Sequence, residues 1–152
     1  MTQTPHAPAD PASLEADERF FARTRCAAVW IDHVEAKIFD IEPEGFEVAH
    51  VAAPAHHYAR KALEQGRHAG SEDYYELVAK ALGNADEVLV VGPSSAKLDF
   101  LRHLHRHDHA LERKIVGVET LDHPHDQQIV AYVRHYFRTA NLSRASAGSV
   151  AR

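Results

Sequence analysis

The stretch Glu87-Val88-Leu89-Val90-Val91 constrains this chain more than any other. Val88 to Val91 leave no polar position to face water, so the run predicts a strand covered on both faces. It ends at Gly92-Pro93-Ser94-Ser95, a turn whose serines suit the start of a helix. A strand of this kind needs helices packed on both sides of its sheet, and the flanking sequence supplies helical periods.

Upstream, Ser71 is placed to cap a helix, with Glu72 and Asp73 at its positive end. Tyr74, Leu77, Val78 and Leu82 then mark one face, and Gly83 ends it. Downstream, Leu98, Leu101 and Leu104 predict the apolar face of a second helix, capped by Ser94 or Ser95. Lys114 to Glu119 reads as another strand. Asp122 or His123 caps the final helix, Pro124 lies in its first turn, and Ile129, Val130, Val133, Tyr136 and Phe137 form its face. Nearer the N-terminus, 26–31, 36–41 and 46–51 read as three strands joined by short polar turns, hence an antiparallel meander. The expected fold is therefore α/β, a mixed sheet in β-β-β-α-β-α-β-α order. Its expected division is a disordered or partly helical arm at 1–23, one α/β domain at 24–138 and a flexible tail at 139–152.

Composition sets the outer limits. A hydrophobic fraction of 45% over 152 residues excludes a wholly disordered chain and suits one domain with a single core. No apolar run approaches the roughly 20 residues of a membrane span. Cys26 is the single cysteine, which rules out an internal disulfide and a cysteine-based zinc cluster. With a polar, Pro/Ala-rich start and no secretory pattern, a cytoplasmic protein is expected. Net charge is −5, unevenly spread: residues 1–50 carry ten acidic against four basic groups, whereas 51–70 and 97–114 are each net +2. The basic segments also hold most of the 13 histidines. A basic face on an acidic body is suited to phosphate, although ordinary segregation of surface charge gives the same pattern.

Five constellations are candidates for chemistry. The long connection 53–70, with His56, His57, Tyr58, Arg60, Lys61, Arg67 and His68, has the residues to hold RNA phosphates and stack on bases. Lys97, Arg102 and Arg106 are supporting phosphate ligands. Gly92, Ser94 and Ser95 form a turn into a helix N-terminus, able to take an anion or simply to cap the helix. His103 with His107, and His105 with His109, would share faces of a continuous helix and could chelate zinc or another divalent metal; interleaved with Arg106 and Asp108, they look more like a solvated helix end. Asp32 heads a set of carboxylates near strand ends that a metal-assisted nuclease would need, but no spacing forces them together. No nucleophile elbow or triad is legible, so a non-catalytic protein without a cofactor is expected.

Several phrases resemble the central domain of class 1 eukaryotic and archaeal peptide-chain release factors. They are Ala27-Ala28-Val29-Trp30-Ile31-Asp32 with Glu35-Ala36-Lys37-Ile38-Phe39, the run from Glu87 to Phe100, and His107 to Val116. The resemblance extends to small bacterial translational machinery components related to that domain. It implies a ribonuclease H-like or ribosomal-protein-like α/β fold and partnership with the ribosome, tRNA or rRNA. It also implies a Gly-Gly-Gln tripeptide after the third strand, which promotes peptidyl-tRNA hydrolysis. Here that connection contains Gln65-Gly66 but no Gly-Gly-Gln, so termination chemistry is not expected. The leading expectation is a non-catalytic, ribosome- or RNA-associated translation protein. The alternatives are a metal-assisted hydrolase using Asp32 and clustered histidines, and a protein-interaction module, such as a homo-oligomer, without RNA binding.

Overall fold

A computed structural model of the chain describes residues 11–53 and 69–150. The elements, in chain order, are α1 (Pro11–Arg23), β1 (Cys26–Ile31), β2 (Glu35–Ile41), β3 (Phe46–Ala52), α2 (Ala69–Ala81), β4 (Glu87–Gly92), α3 (Ala96–His107), the single turn α4 (His109–Glu112), β5 (Ile115–Thr120) and α5 (Asp126–Val150). The expected strand and helix order is present, preceded by α1 within the arm read as disordered or partly helical, and with the turn α4 added. One five-stranded mixed sheet runs β3-β2-β1-β4-β5. β2 is antiparallel to β1 and β3, while β4 is parallel to both β1 and β5.

Alternation along the strands builds two separate cores. Ala27, Val29, Ile31, Val88 and Val90 face one side, where Tyr74, Tyr75 and Val78 of α2, Leu82 just after it, Phe100 and Leu104 of α3 and Leu111 of α4 cover them. Ala28, Trp30, Phe39, Leu89 and Val91 face the other, against Phe21 of α1 and Ile129, Val130, Val133 and Phe137 of α5. Every residue of β1 is buried, and all of β4 after Glu87, as expected for interior strands between two helical layers. Arg134 of α5 ties the layers to the β2–β3 turn by donating to the carbonyls of Glu42 and Gly45 at 2.8 and 2.6 Å, with its guanidinium 5.4 Å from the Phe21 ring centre.

The helices differ from expectation in phase and ends. α2 already includes Ser71, which is therefore not its cap, and Tyr75 takes the buried position assigned to Leu77, which is 52% exposed. In α3 the buried set is Ala96, Phe100, His103 and Leu104; Leu98 is turned outward and Leu101 packs at the margin. α5 is capped by His125, not by Asp122 or His123, and Pro124 precedes the helix. The His125 N–H donates to Gln128 Oε1 at 2.9 Å while its carbonyl accepts from Gln128 N–H, half of a capping box. α5 also runs beyond 138, where a tail was expected, and Arg144 reaches Glu87 at 2.8 Å.

Candidate nucleic-acid interface at the carboxyl edge of the sheet

Strand direction brings the strand exits and turns that flank several candidate residues to one edge. β3 is antiparallel to β2, which is antiparallel to β1, so β3 runs the same way as β1, β4 and β5. The carboxyl ends of these four strands therefore share one edge of the sheet. In open α/β sheets this edge, where connections depart to opposite sides, is the usual place for a ligand. Here it is formed by the β1–β2 turn, the exit from β3, the turn after β4 and the link 121–125.

Backbone contacts fix this rim. Asp32 Oδ1 accepts from the N–H groups of Val34 and Glu35, both at 2.8 Å, and the Asp32 carbonyl accepts from the buried Tyr74 hydroxyl at 2.9 Å. Asp32 thus closes the turn and docks α2 onto it. The Ala53 N–H donates to the Val34 carbonyl at 2.8 Å, which anchors the exit from β3 beside the same turn. Gly92 packs its Cα against β1: a Cβ there would lie 2.2 Å from the Ile31 carbonyl oxygen. On the other side of the sheet, Trp30 Nε1 donates to the Asp122 carbonyl at 2.8 Å, the His123 ring lies 5.2 Å away and Lys37 pairs with Asp126 at 3.0 Å.

The six residues of the basic connection, His56, His57, Arg60, Lys61, Arg67 and His68, lie outside the described residues, as does Tyr58. The remaining candidates divide. Lys97 is at the rim, with Nζ donating to the Ser94 carbonyl at 2.8 Å. Arg102 and Arg106 lie a turn apart on the exposed face of α3, Arg102 pairing with Asp99 at 3.1 Å. At about 100° per residue, Lys97 lies on a different side of the helix from this pair, so the three do not form a single stripe. Ser95 occupies the cap position of α3 but makes no side-chain cap; its Oγ instead stands 3.3 Å from His33 Nε2. Among the described residues no carboxylate hydrogen-bonds to His33, so this is a pair and not a triad. His103 is only 8% exposed and packs against the rings of Tyr75 and His107, at 5.9 and 4.8 Å.

His33, Trp30, Lys37 and His123 were not anticipated at the rim. Lys37 carried a signal: it alternates with Phe39 and Ile41, so its stem was due to face the core, and a partner at the rim lets its ammonium escape burial.

A cleft of about 530 Å³ lies toward the opposite edge, lined by Phe21, Arg25, Cys26, Asp40, Glu42 and Glu47 among others. Its acidic lining does not suit phosphate. Burial, with Glu87 nearby, pushes the Cys26 thiol up to about 12, so no thiolate forms at neutral pH. Although Asp40 is exposed, partial desolvation and the neighbouring Glu47 and Glu42 hold its carboxyl above its usual range. A raised folded-state value means that ionised Asp40 destabilises the fold above that value, and that the penalty vanishes below the unfolded-state value. Asp40→Asn should accordingly raise the melting temperature at pH 7, with the gain shrinking on acidification. A variant that melts lower at pH 7 would show that the charge is favourable.

The same fold occurs in solved structures of Pelota proteins and of a translation termination factor. Pelota from Archaeoglobus fulgidus matches over 91% of this chain and 42% of its own, at 15% identity and a TM-score of 0.58. The archaeal translation termination factor aRF1 matches over 87% of this chain and 44% of its own, at 14% identity and a TM-score of 0.54. Pelota from Thermoplasma acidophilum matches over 80% and 36%, at 20% identity and a TM-score of 0.52. The chain thus spans less than half the length of each. No family profile matches the sequence, and no curated protein does.

Proposed function

We propose that this chain is a translation-related protein that contacts ribosomal or transfer RNA from the carboxyl edge of its sheet, without release chemistry. The observation that carries this reading is the attachment of the connection bearing Arg60, Lys61 and Arg67. Ala53, just before it, is bonded to the β1–β2 turn, and α2, which follows it, is bonded to the same turn through Tyr74. The two described flanks of that connection are thus bonded to the rim where Lys97 stands. The fold shared with a translation termination factor supports the translation setting. The absence of Gly-Gly-Gln from the connection supports a binding role rather than hydrolysis. Asp32, the first residue a metal-assisted hydrolase would call upon, has its Oδ1 engaged by two backbone N–H groups of the turn.

Binding of this kind is dominated by counterion release, so affinity falls steeply with salt. Replacing Arg60, Lys61 and Arg67 together by alanine should reduce the magnitude of the log–log salt slope by roughly 2–3, measured against ribosomes. An unchanged slope and affinity would remove this connection from the interface.

A further inference from the structure

We propose that His105, His109 and Glu112 form a binding site for a divalent cation of the zinc class, which clamps the end of α3 to α4. The sequence pointed to histidine pairs on one continuous helix, but the chain breaks at Asp108, with φ −150° and ψ 75°. Asp108 ends α3 through its N–H to the Leu104 carbonyl at 2.8 Å and begins α4 by accepting from the Leu111 N–H on its side chain at 3.1 Å. The break is thereby held in one geometry, and it brings three ligand residues together across two helices.

The donor atoms of the three residues all lie within 4.8 Å of one another. His105 Nδ1 is 2.8 Å from Glu112 Oε2, and His109 Nδ1 is 3.6 Å from Glu112 Oε1. Ligands bound tetrahedrally to zinc at about 2.0–2.1 Å sit roughly 3.3–3.5 Å from one another, so the two His–Glu112 separations lie either side of that value and no pair exceeds 4.8 Å. Small side-chain rotations close the difference. The two imidazole rings stand 80° apart with centres 5.7 Å from each other, so they do not stack and both can present an edge nitrogen. Two imidazole nitrogens and one carboxylate form a donor set that favours zinc, cobalt, nickel or copper over magnesium or calcium. Waters complete the shell at this exposed position. Of the other pair the sequence offered, His103 is buried against Tyr75 while His107 is exposed.

The test uses the full, untagged chain, titrated with zinc chloride by calorimetry and with Co²⁺ by visible absorption. The expected result is one saturable zinc per chain, tetrahedral Co²⁺ bands, and a melting temperature that rises with zinc. His105→Ala and Glu112→Gln should each weaken zinc by at least about tenfold and abolish the zinc-dependent rise in melting temperature. Both His105 and His109 side chains are well exposed, at 73% and 64%, so His105→Ala and His109→Ala should fold normally. A combined His56→Ala, His57→Ala and His68→Ala variant should bind zinc as the wild type does. The proposal is overturned if no saturable binding occurs, if His105→Ala binds undiminished, or if the combined variant loses zinc instead.

Discussion

Replacing Phe100 by alanine should destabilise the protein by about 3–5 kcal/mol, whereas Leu98→Ala should shift stability by no more than about 0.5 kcal/mol. Both are large apolar residues of α3, two positions apart. Phe100 is fully buried beneath α2, with its ring centre 6.0 Å from that of Tyr75, while Leu98 is 45% exposed. Removing the Phe100 ring leaves a cavity between α2, α3 and the sheet that surrounding backbone cannot collapse to fill. Urea unfolding of the two variants measures this directly. Equal losses at the two positions would mean that α3 is rotated about its axis from the orientation described.

Gly92→Ala should be comparably severe, at about 3 kcal/mol or more. The added Cβ would meet the Ile31 carbonyl oxygen at 2.2 Å, and that contact is backbone against backbone, so no side chain can swing away. Neither strand is free to yield. Ile31 pairs with Ala36 of β2, and the Asp32 N–H is bonded to the Glu35 carbonyl at 3.0 Å, while the Gly92 carbonyl accepts from the Leu121 N–H at 3.0 Å. Marginal stabilities of roughly 5–15 kcal/mol make such a loss a large part of the total. Because Gly92 leads into Ser94 and Ser95, the displacement also opens the rim. A Gly92→Ala protein with unchanged urea midpoint would show that β1 and β4 are not so close at this end.

The sheet was legible because its pattern is strong. Val88 to Val91 could belong only to an interior strand, and the short turns at Asp32-His33 and Pro43-Glu44-Gly45 left little choice but hairpins. α3 was misread in phase because Leu98, Leu101 and Leu104 also fit a helical period. The actual face includes His103, a polar residue that a search for apolar spacing passes over. α2 shifted for the converse reason: two adjacent tyrosines each find an apolar surface, and Leu77 is left outside. A helix end in this His-rich stretch was legible, but the additional turn α4 was not, because it depends on Asp108 capping a single following turn. Of the candidate site, the turn after β4 was legible as local sequence. Its proximity to Asp32, Ala53 and His123 was not, since that follows from strand direction and long-range pairing.

RNA contact through this face is most directly tested by sedimenting untagged protein with ribosomes through sucrose gradients over a salt series. The expected result is migration with a ribosomal fraction at low salt and progressive release as salt rises, because the proposed contact is between Arg or Lys and phosphate. Protein that remains at the top of the gradient at every salt concentration would contradict it.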